Sequence, residues 1–182
     1  NGVTFDILKG SRTVLLGENG CGKTTLLRLI SRLEKPTRGV ILQNIDDKFG
    51  QKSKQSKKWY KKVGVVYQNP DYQLFMQTVE KEIKFGAKSD EYADEIAEKF
   101  GIKHLYARHP QSLSEGQKRR VSIAAVVATD PEVLILDEPT VGQDYKGLCE
   151  MVEVLNKLHE EAHNTMITVT HDKRCAAALC DK

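Results

Sequence analysis

No apolar run in this chain approaches the ~20 residues a helix needs to cross a bilayer; runs such as Val133-Leu134-Ile135-Leu136 are the length of buried strands. Charge of neither sign is in excess. The 28 basic residues face 25 acidic ones, so no global field advertises nucleic acid or an anionic membrane. The four cysteines (Cys21, Cys149, Cys175 and Cys180) form no C-x-x-C pair, which argues against a zinc site. They read as reduced thiols, with Cys21 open to a lowered pKa where basic nitrogen surrounds it. The segment Asn1-Gly2-Val3-Thr4 lacks the basic and apolar regions of a signal peptide, so the expectation is a soluble, intracellular protein. There is no internal repeat and no low-complexity tract. A length of 182 residues fits one domain with a real core.

The patterning that is present alternates strands and helices, which predicts an α/β fold with a mostly parallel sheet. Val3-Phe5-Ile7, Thr13–Leu16, Val40-Ile41-Leu42, Val63–Tyr67, Val133–Leu136 and Thr165–Val169 read as strands. Helical spacing covers Thr24–Leu33, closed by Pro36 and Gly39, and a charged stretch from Thr78 to Arg108. In that stretch Val79, Ile83, Ile96, Phe100, Ile102 and Leu105 are the packing residues. A helix after Ser114 presents Val121, Ile123, Ala124, Val126 and Val127. Two more run from about Lys146 to Glu161 and from Lys173 to Leu179. Seven of the fifteen residues from Lys48 to Lys62 are lysine, around Trp59 and Tyr60. That run reads as a solvated connection with its aromatics turned inward, or as a nucleic-acid surface with lysines on phosphates and rings on bases.

Chemistry concentrates in two segments. Gly17-Glu18-Asn19-Gly20-Cys21-Gly22-Lys23-Thr24-Thr25 fits G-x-x-x-x-G-K-[ST] between a strand and a helix. Glycines let backbone N–H groups converge on phosphate oxygens, and the helix N-terminus adds partial positive charge. Lys23 is placed to reach β- and γ-phosphates and Thr24 to ligate Mg²⁺. The second segment, Asp137-Glu138-Pro139, ends a buried strand, where ligands of α/β sheets gather. Asp137 is expected to face the metal and Glu138 to polarise an attacking water.

With Leu113-Ser114-Glu115-Gly116-Gln117 added, the chain resembles the nucleotide-binding domain of ATP-binding cassette (ABC) proteins from about Phe5 to His171. On composition alone that third segment is only a good helix N-cap. The resemblance makes it the family signature, usually Leu-Ser-Gly-Gly-Gln, in which Ser114, Gly116 and Gln117 contact ATP held by a second cassette. Glu115 replaces the usual glycine and is expected to point away. Gln68 resembles the Q-loop glutamine, which contacts Mg²⁺ or water. His171 resembles the switch histidine at the γ-phosphate. Asp144 resembles the D-loop aspartate, although Val141-Gly142-Gln143 departs from the usual Ser-Ala-Leu.

The resemblance implies a P-loop NTPase with a mostly parallel sheet, a small peripheral β region and a helical subdomain. Its core would be 1–68 and 131–182, and the subdomain about 69–130, in one domain truncated at both ends and without an adenine-stacking aromatic. Gln68-Asn69-Pro70-Asp71-Tyr72-Gln73-Leu74-Phe75, and the interval of about 45 residues from Gln68 to Ser114, look like cassettes of energy-coupling-factor importers. The implied function is ATP hydrolysis with Mg²⁺ that powers uptake. The implied partners are a second cassette and a transmembrane coupling subunit, at the cytoplasmic face of the membrane, with no nucleic acid. A soluble ABC ATPase acting on ribosomes or DNA, suggested by the lysine run, is the alternative. A catalytically silent cassette is disfavoured by Lys23, Glu138 and His171.

Overall fold

The computed structural model describes residues 2–18, 20–42, 59 and 61–180. Among these residues four strands, β1 (Arg12–Leu16), β2 (Val63–Val66), β3 (Val133–Asp137) and β4 (Thr165–Thr170), form one parallel sheet in the order β1-β4-β3-β2. Register places Val65 opposite Ile135, Ile135 opposite Ile167, and Leu15 opposite Val169. The central strands β3 and β4 are buried on both faces, as continuous apolar runs in parallel sheets are. Thr13–Leu16, whose apolar run into the glycine loop predicts a buried strand, lies in edge strand β1, which is only half-buried with Leu16 exposed.

Among the described residues six α-helices accompany the sheet: α1 (Lys23–Ile30), α2 (Val79–Lys84), α3 (Asp90–Lys99), α4 (Glu115–Val127), α5 (Tyr145–Ala162) and α6 (Lys173–Leu179). Strand alternation divides the core. Val133, Ile135, Ile167 and Val169 pack with Leu27 of α1 and with Trp59 on one face. Leu134, Leu136 and Met166 join the larger cluster of α2 to α6 on the other. Trp59 is turned inward as expected, and its Nε1 donates to the Ile30 carbonyl at 3.2 Å. The six packing residues read between Val79 and Leu105 are all buried.

Several boundaries differ from the sequence pattern. Residues 3–7 and 40–42 are not strands; Val3, Val40 and Leu42 are largely exposed, and no described strand offers them a ladder. The lysine run falls almost wholly in residues 43–58 and 60, outside those described, as does Asn19. The first helix ends at Ile30 rather than Leu33, because Arg32 turns left-handed at φ 62° before Pro36 is reached. The stretch from Thr78 to Arg108 is two helices and a 3-10 turn, interrupted at Gly86 and Gly101.

Candidate functional site

The C-terminal ends of β1, β2 and β3 converge on a cleft of about 390 Å³ lined by Gly20, Gly22, Lys23, Thr24, Thr25, Gln68, Asp137 and Glu138. All eight were singled out in the sequence, and the fold brings them together. The loop between β1 and α1 turns on Gly20 and Gly22, at φ 82° and 100°, a backbone that side chains resist. Five of the six described α-helices begin with a side chain that caps them: Thr78, Ser89, Ser114, Asp144 and Asp172. Only α1 has none, and its first turn carries no acidic residue. Its free N–H groups and positive dipole end therefore face the cleft, ready for an anion. Lys23 folds over the loop, with Nζ donating to the Gly17 carbonyl at 2.7 Å and the Glu18 carbonyl at 2.9 Å.

Asp137 and Glu138 both lie buried at the end of β3. Asp137 Oδ2 accepts from the Thr24 hydroxyl at 3.2 Å. Burial pushes the Asp137 carboxyl above the usual aspartate value; the Thr24 hydrogen bond opposes this and the neighbouring Glu138 carboxylate adds to it. A buried carboxylate touching a hydroxyl, beside a second carboxylate, is short of positive charge. It fits a hard cation that completes its shell with phosphate oxygens, as Mg²⁺ does. Among the described residues there is no group of three His, Cys, Asp or Glu side chains placed to hold a metal ion.

Glu138 stands in the left-handed region at φ 51°, a strained position for a residue with a side chain and one that clusters at functional sites. Its N–H donates to the Val169 carbonyl at 2.8 Å. Oε1 lies 2.8 Å from His171 Nδ1, and Oε2 accepts from the Thr170 hydroxyl at 3.1 Å and from the His171 N–H at 3.4 Å. The end of β4 thus aims the carboxylate. Thr170 has a role that sequence reading passed over, although its place immediately before His171 was the available signal.

The signature segment lies elsewhere. Ser114, Gly116 and Gln117 line a separate cleft of about 290 Å³ with Gly101, Ile102, His104, Leu105, Arg120 and Gln143. No residue is common to the two clefts. Ser114 Oγ accepts from the Gln117 N–H at 3.3 Å, and the Gln117 side chain accepts from the Ser114 N–H at 3.1 Å, a capping box. Glu115 points outward, 3.5 Å from Lys118 Nζ. Asp144 caps α5 through the Gly147 N–H at 2.7 Å. Gln143 Nε2 donates to the Gly116 carbonyl at 3.2 Å, a link that nothing in the sequence pattern announced.

The segment after Gln68 is pinned by its own side chains. Gln73 accepts from the Tyr67 N–H at 2.8 Å and donates to the Val65 carbonyl at 2.9 Å. The buried Glu82 carboxylate accepts from the Phe75 and Met76 N–H groups at 2.9 and 2.7 Å. From this fixed segment Tyr72 and Phe75 project 81% and 66% exposed. Phe75 and exposed Phe85 meet in a T-shaped pair, at 5.2 Å between centroids.

A parallel sheet whose first strand feeds a glycine loop and an uncapped helix, facing acids at the end of a central strand, defines a P-loop nucleotide-binding protein. The chain belongs to the ABC transporter family, whose sequence model matches residues 1–141. It is 44% identical over 185 residues to the energy-coupling factor transporter ATP-binding protein EcfA2 of Enterococcus faecalis, an alignment that takes in 93% of this chain. The chain spans 62% of that relative's length. Among solved structures it is similar to cbiO1 from Clostridium perfringens, part of the ABC transporter complex cbiONQ, with a TM-score of 0.83 and 36% identity over 99% of this chain and 74% of that one. It also matches the dimeric ATP-binding cassette MJ0796 bound to ADP and Pi, with a TM-score of 0.79 and 29% identity over 96% of this chain and 80% of that one.

Proposed function

We propose that this chain binds ATP with Mg²⁺ between α1 and the end of β3, hydrolyses it, and so powers uptake through an importer of the energy-coupling-factor kind. The observation that carries the reading is the uncapped α1 N-terminus set against the Thr24–Asp137 pair. The phosphates take the free N–H groups of the loop and α1, and Lys23 exchanges its loop carbonyls for β- and γ-phosphate oxygens. Thr24, Asp137 and Gln68 hold Mg²⁺, which when bound neutralises charge on the transferring phosphoryl group. Glu138 takes the proton of the attacking water. His171, which holds Glu138 Oε1, turns to the γ-phosphate once that is in place.

Completion of the site falls to a second cassette. Because Ser114, Gly116 and Gln117 open onto a cleft of their own, they serve the ATP of a partner cassette in a head-to-tail pair. Tyr72, Phe75 and Phe85 form the docking face for a transmembrane subunit, so the chain works peripherally at the cytoplasmic face of the membrane. Residues about 69–130 act as the helical subdomain against a core of 1–68 and 131–182. None of the described helices is long and apolar enough to cross a membrane.

Glu138→Gln tests the chemistry. The amide keeps the shape and loses the basic oxygen, so turnover falls by about 10²–10⁴-fold while ATP binding is retained. ATP-bound dimers accumulate, because ligand that spans an interface stabilises the assembly by mass action. Stopped turnover with intact nucleotide binding supports the assignment; hydrolysis at the unmodified rate removes Glu138 from it.

A further inference from the structure

The helix that begins with the signature carries two buried basic side chains that neither nucleotide binding nor helix formation explains. Lys118 is 7% exposed and Arg119 4%. Buried cations persist only where they are paired, and both pairs lead to one place. Lys118 Nζ lies 2.8 Å from Asp71 Oδ1. Arg119 donates through Nη1 to the Tyr67 carbonyl at 3.0 Å and through Nη2 to the Gln68 carbonyl. Arg119 Nε has no partner. Burial pushes the Arg119 guanidinium below its usual pKa, and the Glu115, Asp137 and Glu138 carboxylates oppose that shift. Both residues lie in the first turns of α4, within five positions of Ser114.

We infer that Lys118 and Arg119 strap the segment from Tyr67 to Asp71 to the N-terminal turn of α4, so that the Q-loop, the docking face and the signature move as one body. They are positioning residues: neither touches the proposed nucleotide, and each acts through a backbone or a carboxylate that it fixes. The consequence is specific. Gln73 ties this segment back to β2 and Glu82 ties it to α2; the straps add its direct tie to the first turns of α4. With them, displacement of Tyr72 or Phe75 by a partner reaches Gln68 at one nucleotide and Ser114 at the other. The inference rests on the nucleotide and docking roles proposed above.

The Lys118–Asp71 pair is the arm to test, because Asp71 is partly exposed and water can take over its carboxylate when Lys118 is replaced. The intact protein carrying Glu138→Gln is followed by amide hydrogen exchange with and without Mg·ATP. The parent should gain protection in parallel at residues 67–75 and 115–119. Adding Lys118→Met should leave the gain at 115–119 and speed exchange at 67–75 by about tenfold, since local opening is governed by the contacts that hold a segment. The charge swap Asp71→Lys with Lys118→Glu should restore parallel protection, which a merely structural role for the lysine would not give. Unchanged protection at 67–75 in Lys118→Met, or a charge swap that fails to recover it, overturns the strap. A parent protected at 115–119 alone also overturns it and leaves the nucleotide reading standing. A parent with no Mg·ATP-dependent protection at either segment overturns both.

Discussion

Lys23 and Ser114 each stand at a helix N-terminus, but the chain treats those termini in opposite ways. Lys23 opens α1, which has no cap, and its ammonium rests on two carbonyls of its own loop. Ser114 opens α4 and is already committed to a reciprocal box with Gln117. An incoming phosphate gains free donors at the first terminus and must compete with the box at the second. Lys23→Ala should therefore weaken ATP binding at protein concentrations where the chain is monomeric, by about 1.5–3 kcal/mol for a lost charge-assisted hydrogen bond. Ser114→Arg should leave that monomer affinity unchanged and abolish dimer closure and hydrolysis. Nucleotide titrations at high dilution, paired with size measurements at high concentration, separate the two. Equal loss of nucleotide in both variants at high dilution would place Ser114 in its own subunit's site.

At the scale of elements, Gly64 shows how tightly the sheet is fitted to α4. It lies inside β2 opposite Leu134, where a Cβ would stand 2.5 Å from Val126 Cγ1 and 3.1 and 3.2 Å from two carbons of Pro131. A valine methyl on a helix and a proline ring have little room to yield, so Gly64→Ala should destabilise the fold by about 1–3 kcal/mol. Thermal unfolding would read this as a fall of roughly 2–4 °C per kcal/mol. An unaltered midpoint would mean that α4 can slide away from β2, which would also loosen the Arg119 contact to Tyr67 and Gln68. This fit was beyond sequence reading: Gly64 looked like any glycine in a strand. The strand β3 was legible because a parallel strand buried on both faces is written as an apolar run, and β2 and β4 through their β-branched residues, Val63, Val65, Val66, Thr165, Ile167 and Val169. Val3, Phe5 and Ile7, alternating with polar partners, and the run 40–42 also carry strand patterns, but a strand exists only with a partner ladder. The acidic pair and the glycine loop were legible because their chemistry is tied to residue type and spacing. The contacts of Arg119, Gln143 and Thr170 were not, since each joins segments that only the fold brings together.

Across the whole molecule the exposed rings Phe75 and Phe85 meet at 5.2 Å, and Phe75 and exposed Tyr72 stand on a segment that Gln73 and Glu82 pin at both ends. Rigid, exposed aromatics are what a partner anchors on, because little ordering entropy is left to lose on binding. The T-shaped contact of Phe75 with Phe85 is worth about 0.5–1.5 kcal/mol and lies between exposed rings. Phe75→Ala should thus leave the stability and basal ATPase of the purified protein nearly unchanged. Association with a transmembrane subunit should weaken by about 2 kcal/mol or more, the loss typical of an aromatic hot spot, or roughly 30-fold. Co-purification from membranes and uptake in cells read that loss directly. A soluble role on ribosomes or DNA makes the opposite forecast. Phe75→Ala would then be silent, and neutralising Lys52, Lys54, Lys57 and Lys58 would abolish a binding that falls steeply with salt, because each phosphate contact releases a counterion. Undiminished uptake in the Phe75 variant, with salt-sensitive nucleic-acid binding through those lysines, would transfer the partner face from the Gln68–Phe75 segment to the lysine run.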